Sequence, residues 1–134
     1  MAITVIRPIV IKAVVTESFK RLYRQELEEA IERVEELIGQ IDTQIRRTEL
    51  ERQITPQARA VRQQLEVERA RQEATRADLQ ARLREVEQLE LNSEFPQGTV
   101  ESLTEIRVGD NLFQKLGRSE ILVKDGIVIE VREP

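Results

Sequence analysis

The 134-residue chain has no Cys, no His and no Trp, and only one Tyr, three Phe and four Pro. Without Cys or His there is no disulfide framework, zinc finger, haem ligand, Ser-His-Asp triad or thiol nucleophile. A Ca or Mg site built from carboxylates alone would need acidic residues at loop spacing, and no segment has the pattern of an EF-hand loop. With 3% aromatic residues, any globular core is small and aliphatic. Long hydrophobic runs are missing too. The apolar stretch from Ile3 to Val15 is interrupted by Arg7, Pro8 and Lys12 and falls short of the roughly 20 residues of a membrane-spanning helix. No basic residue precedes it and no small-residue cleavage site follows, so it reads as a buried strand rather than a signal peptide. A cytoplasmic protein of one ordinary-sized domain, without membrane contact, is expected.

What the chain does have is charge and periodicity. Charged residues make up 34% of it, with 21 Lys plus Arg against 25 Asp plus Glu. Three parts follow one another. In the first, Ile3, Val5, Ile9, Ile11, Ala13 and Val15 share one parity, broken by Arg7, while Ile6, Val10 and Val14 add apolar character to the other. Pro8 has no N–H and belongs at an edge or a bulge.

The second part, Glu17 to about Asn92, is helical. Thr16 is positioned as an N-cap at the strand-to-helix switch. The helix must break at Thr55-Pro56, where Pro suits the first turn of a second helix and Thr55 its cap. The arms Glu17–Gln53 and Pro56–Asn92 are of equal length, roughly 55 Å each at 1.5 Å per residue. That is too long to wrap a small core, so a projecting antiparallel helical hairpin is expected. Leu27, Ile31, Val34, Ile38, Ile41, Ile45 and Thr48 repeat at alternating spacings of four and three, the seam of a coiled coil. With the tip near residues 53–56, facing residues should have numbers adding to about 109.

The third part is β again. Val100, Ser102, Thr104, Ile106 and Val108 alternate with Glu101, Leu103, Glu105 and Arg107 as a half-buried strand. Gly109-Asp110-Asn111 marks a turn, and Leu112–Leu116 a helical turn closed by Gly117. Ile121–Val123 and Ile127–Val131 flank Lys124-Asp125-Gly126 as a hairpin. A two-residue Asp-Gly loop would pair Val123 with Val128 and Ile121 with Glu130. A three-residue loop pairs Val123 with Ile127 and Ile121 with Ile129, and is expected because it keeps the aliphatic residues on one face. A hairpin needs further partners, and the first strand has none nearby. The expected fold is therefore α+β: a long antiparallel coiled-coil hairpin (residues 16–93) inserted between the N-terminal strand and three C-terminal strands. Residues 1–15 and 97–134 would form the small antiparallel sheet or barrel.

Val108-Gly109-Asp110-Asn111 and Val123-Lys124-Asp125-Gly126-Ile127-Val128, after an apolar strand running into a charged helix, resemble the YlqD family of small bacterial proteins. The resemblance implies no assigned activity and no site residues to carry over. The family's members look like neighbours of ribosome-assembly genes, which implies RNA or ribosome biology.

Two surfaces stand out. Val67, Ala70, Ala74, Ala77 and Ala81 form a stripe well over 100° around the second arm from Val61, Leu65, Leu79, Leu83 and Val86. Alanine there is either simply a good helix former or a face for another hairpin or partner helix. Charge is also uneven: Glu26 to Glu36 is strongly acidic, whereas Arg46, Arg47, Arg52, Arg59 and Arg62 near the tip meet only Glu49 and Glu51. These arginines are either ordinary solvated charge or an anion-binding surface for RNA or the ribosome. The overall charge of −4 and the lack of aromatics for base stacking confine nucleic-acid binding to the tip. Asp110 and Asp125 are turn residues, and no glycine-rich phosphate loop exists. No catalytic, metal or cofactor residues, no cofactor and no small-molecule substrate are expected. The expected function is non-enzymatic scaffolding through the stalk, with itself or a protein partner, and the alternative is RNA or ribosome association through the basic tip.

Overall fold

The computed structural model describes residues 1–50 and 55–134. In chain order these form β1 (Ala2–Val14), α1 (Glu17–Glu49), α2 (Pro56–Gln88), β2 (Glu94–Arg107), α3 (Leu112–Leu116), β3 (Ser119–Lys124) and β4 (Ile127–Arg132). The strands make one sheet in the order β2-β1-β3-β4, so a helical hairpin is inserted between the first strand and its three C-terminal partners. The sheet is mixed and open, not wholly antiparallel and not a barrel: β1 and β3 run parallel. The connectivity explains this. Arg107 at the end of β2 lies opposite Ala2 at the start of β1. A strand beginning from there on the other edge of β1 can only follow β1's own direction, and β3 does so from Ile9 onward. Pro8 lies one residue before that pairing, where β1 has β2 on one side and β3 has not yet begun, so its missing N–H breaks no β1–β3 bond.

The chain divides into two compact units, Met1–Lys20 with Leu89–Pro134, and Arg21–Gln88.

In the sheet unit, Thr16 closes the first strand and opens the helix. Its Oγ1 accepts from the Phe19 N–H at 3.0 Å, the expected cap, and donates to Asp125 Oδ1 at 2.7 Å. The Val15 N–H donates to Ser93 O and the Asn92 N–H donates to Val15 O, each at 2.8 Å. Asn92 reaches its bond with φ 69°, a left-handed geometry that Asn tolerates. The Phe19 and Phe95 rings meet at 5.4 Å. Ala13, Val14, Val15 and Leu122 are the buried aliphatic residues of this unit.

Two expectations about strands are corrected. The second strand begins at Glu94 rather than near Val100. Pro96 and Gly98 do not interrupt it, because the register shifts at Ile11/Lys12, leaving Gln97 unpaired on β2. A bulge on an edge strand absorbs both residues. The β3–β4 loop is the two-residue one, with Asp125 and Gly126 at φ 49° and 83° and Val123 opposite Val128. A bulge then skips Ile129, so Ile121 faces Val131, not Ile129 or Glu130. The same slip sets Glu120 opposite Arg132 instead of Glu130, replacing like charges with a pair of opposite ones.

In the helical unit, α1 and α2 are each 33 residues, both ending four residues earlier than expected. Thr55 Oγ1 accepts from the Ala58 N–H at 3.1 Å, the expected cap of α2. Leu27, Ile38 and Ile41 are buried, and Ile31, Val34, Ile45 and Thr48 half-buried, so the predicted stripe on α1 is the one withdrawn from solvent. Three ion pairs cross between the helices: Arg24–Glu87, Asp42–Arg69 and Glu49–Arg62. In each pair the residue numbers add to 111. The antiparallel register is thus two residues beyond the expected one, which pairs Ile45 with the neighbourhood of Glu66 rather than Leu65. Of the expected tip at 53–56, residues 53 and 54 lie outside the described residues, while Thr55 and Pro56 open α2.

Thr16→Ala should cost about 1–2 kcal/mol, since it removes both the cap and the Asp125 bond, and Thr16→Ser should recover most of it in urea denaturation. Gly117→Ala places a Cβ 2.7 Å from Pro134 Cβ and 2.8 Å from the Phe113 carbonyl oxygen. About 1–3 kcal/mol of destabilisation is expected from that overpacking, read as a lower thermal midpoint.

Candidate interaction surfaces

On α2, Leu65, Leu79 and Leu83 are half-buried and Val86 is buried, while Val67, Ala70, Ala74 and Ala77 are exposed. Ala81 is half-buried and Val61 is exposed, so these two depart from the expected division of faces. Val67 is 60% exposed. The middle of α2 holds a feature that apolar periodicity does not reveal. Glu68, Arg69, Gln72, Glu73 and Arg76 are all half-buried there, in register with the buried Ile38 and Ile41 of α1. Long side chains of this kind cover apolar neighbours with their stems and keep their heads in water. Arg69 joins Asp42 on α1 to Glu73 on its own helix. Its hydrogen bond is the main reason that the Asp42 carboxyl lies below its usual pKa, and Arg46 contributes in the same direction.

The basic end is only partly free. Arg46, Arg47, Arg59 and Arg62 are exposed, and Arg52 lies outside the described residues. Arg62 is held by Glu49 at 3.2 Å and Glu66 at 3.3 Å. Arg46, Arg47 and Arg59 make no ion pair among the described residues. Arg46 and Arg47 occupy the last turn of α1, where cations complement the helix dipole, so they have a structural reason to be there.

The sheet unit carries a charged cluster that the spacing of residues in sequence could not show. Lys12, Glu94, Glu120 and Arg132 come from four different strands. Lys12 Nζ meets Glu120 at 3.0 Å, while Arg132 bridges Glu120 at 3.2 Å, Glu130 at 3.1 Å and Glu94. The Lys12 and Arg132 hydrogen bonds hold the Glu120 carboxyl below its ordinary pKa, and the Arg132 bond does the same for Glu94. Arg132 is pushed above the usual guanidinium range, first by Glu94.

A cleft of about 540 Å³ lies between Arg7, Thr104, the turn at Gly109–Asn111, Gln114, Lys115 and the chain end at Glu133–Pro134. Arg7 Nη1 donates to the Lys115 carbonyl at 3.2 Å. The cleft holds charges of both signs, with Lys115 Nζ 4.0 Å from Asp110, so it favours neither anions nor cations. Asp110 accepts from the Arg107 N–H at 2.8 Å, and Asp125 from Thr16; both serve turns. Among the described residues no cluster of acids could hold a metal ion, and no helix is long and apolar enough to cross a membrane.

An open four-stranded mixed sheet with a helical hairpin inserted after its first strand defines an α+β class of protein. Within it, the chain belongs to the YlqD family, whose model, described as YlqD protein, matches residues 3–132. No curated protein matches the chain. A crystal structure of a protein of unknown function from Synechococcus sp. WH 8102 is similar at a TM-score of 0.80 and 27% identity, over 99% of this chain and 96% of that one.

The acid clusters predict a sign for pH dependence. Carboxylates whose folded pKa is depressed stabilise the fold above their unfolded values, and that contribution disappears as pH falls through the folded ones. Stability should therefore decline on acidification below the ordinary Glu range. Arg132→Gln should lower stability at neutral pH and flatten the acid limb, as measured by urea titrations across pH.

Proposed function

We propose that this protein is a non-enzymatic scaffold that works through helix-to-helix contact, with α2 presenting its Val67–Ala70–Ala74–Ala77 face to a protein partner or a second hairpin. The observation that supports this reading is the exposure of Val67 and the three alanines on a helix whose other apolar side chains are mostly turned inward. Small residues let a second helix approach closely, and an exposed β-branched residue among them supplies apolar area. The paired substitution Val67→Glu with Ala74→Glu places charge on that face without touching the α1–α2 ion pairs. It should abolish retention of protein partners from nuclease-treated lysate while leaving helix content by circular dichroism unchanged. Undiminished retention of the same partners would refute the reading.

Arg46, Arg47 and Arg59, exposed and without ion pairs among the described residues, support a second reading, in which the basic end meets RNA or a ribosomal surface. Arginine suits phosphate through its planar fork of donors, and binding of this kind is salt-sensitive and sequence-indifferent. Replacing Arg46, Arg47, Arg59 and Arg62 with Glu should weaken binding to a structured RNA at least tenfold in a filter-binding titration. An unchanged affinity would remove this reading.

A further inference from the structure

The cleft beside the Gly109–Asn111 turn leaves two of its charges unmatched. Its charged side chains are Arg7 from β1, Asp110 from the turn, Lys115 from α3 and Glu133 just beyond β4. Lys115 and Asp110 answer each other at 4.0 Å, and Asp110 also accepts from the Arg107 N–H. Arg7 and Glu133 remain, since neither makes an ion pair among the described residues. They carry opposite charge and line one cleft, yet do not pair with each other.

Arg7 is the more telling of the two. A cation withdrawn from water is normally matched by an anion, because the attraction offsets the cost of its desolvation. Arg7 is half-buried, and its Nη1 donates to the Lys115 carbonyl at 3.2 Å, while its Nε is buried without a partner among the described residues. A neutral carbonyl fixes the guanidinium in place but does not neutralise it. The guanidinium keeps other donors of its planar fork for a carboxylate. Further polar groups are uncommitted: the Thr104 hydroxyl and the Gln114 side-chain amide line the cleft and make no hydrogen bond among the described residues. Its volume of about 540 Å³ lies within the roughly 300–1,000 Å³ of small-molecule sites.

A simple anion on Arg7 would share the cleft with Asp110 and Glu133, and a simple cation on Glu133 would share it with Arg7 and Lys115. A molecule that carries both charges meets neither objection. We propose that the cleft binds a small zwitterion, an ammonium carboxylate of amino-acid or dipeptide size, with its carboxylate on Arg7 and its ammonium on Glu133. This site uses neither the α2 face nor the basic end, and it stands or falls separately from both.

The test is isothermal titration of the full chain with L-alanine and with L-alanyl-L-alanine. Saturable binding in the millimolar range or tighter is expected, and the tighter of the two probes distinguishes an amino acid from a peptide as the source of the ligand. N-acetyl-L-alanine keeps only the carboxylate and L-alaninamide only the ammonium, and each should bind at least tenfold more weakly than that probe. Glu133→Gln should weaken the zwitterion at least tenfold and leave N-acetyl-L-alanine unaffected. Arg7→Gln should weaken the zwitterion equally and leave L-alaninamide unaffected. A merely structural role would move the charged probes together. Glu133 is exposed, so its variant keeps the proposal testable if Arg7→Gln fails to fold. Absence of binding by both zwitterions would overturn the proposal. So would single-charge probes that bind as tightly as the zwitterions, or an affinity for the zwitterion that Glu133→Gln leaves unchanged.

Discussion

Two backbone hydrogen bonds meet at one residue: Val15 donates to Ser93 and accepts from Asn92. Through them the segment that ends β1 is tied to the segment that begins β2, although two helices of 33 residues each lie between. Ordering such a long loop costs conformational entropy that grows only slowly with its length, so a large helical insertion is compatible with a small sheet provided its two ends are held. Thr16 strengthens the same junction by capping α1 while donating to Asp125 on the β3–β4 turn. Phe19 on Phe95 adds one of the few aromatic contacts available to this chain. The sheet's register and its charged cluster follow from a chain closed at this point.

The sheet unit is short of core. Its buried aliphatic residues are Ala13, Val14, Val15 and Leu122, and burial of this extent contributes little against the entropy of some sixty-odd ordered residues. The ion pairs of Lys12, Glu94, Glu120 and Arg132 are open to solvent and of modest value by themselves. Their greater effect is on register. With the bulge at Ile129, Arg132 faces Glu120 and Ile121 faces Val131, so charge pairing and apolar pairing agree. The unbulged two-residue loop would have satisfied neither.

The helical unit shows a related compromise. α1 supplies an unbroken aliphatic stripe, whereas α2 answers its middle with Arg69, Gln72, Glu73 and Arg76. A seam of this composition is held as much by long stems and bridging ion pairs as by interdigitated apolar side chains. It leaves the small residues Ala70, Ala74 and Ala77 on the outside, where a second helix could approach.

Much of the architecture was legible in local chemistry. Proline at 56 with threonine before it opens and caps the second helix, and the four-three repeat from Leu27 to Thr48 identifies the face of α1 that leaves solvent. The apolar N-terminal strand with no local partner requires distant ones. These signals are local or periodic, and each follows from steric and hydrogen-bonding rules acting within a few residues. What remained for tertiary structure were decisions that weigh partners far apart in the chain. The parallel pairing of β1 with β3 depends on where β2 delivers the chain, and the bulge at Ile129 on Arg132 finding Glu120 and Glu94. The charged cluster cannot be read from spacing, because it assembles single residues from four strands. Alternation along one strand says that two faces differ; only the register across all four says which residues share them.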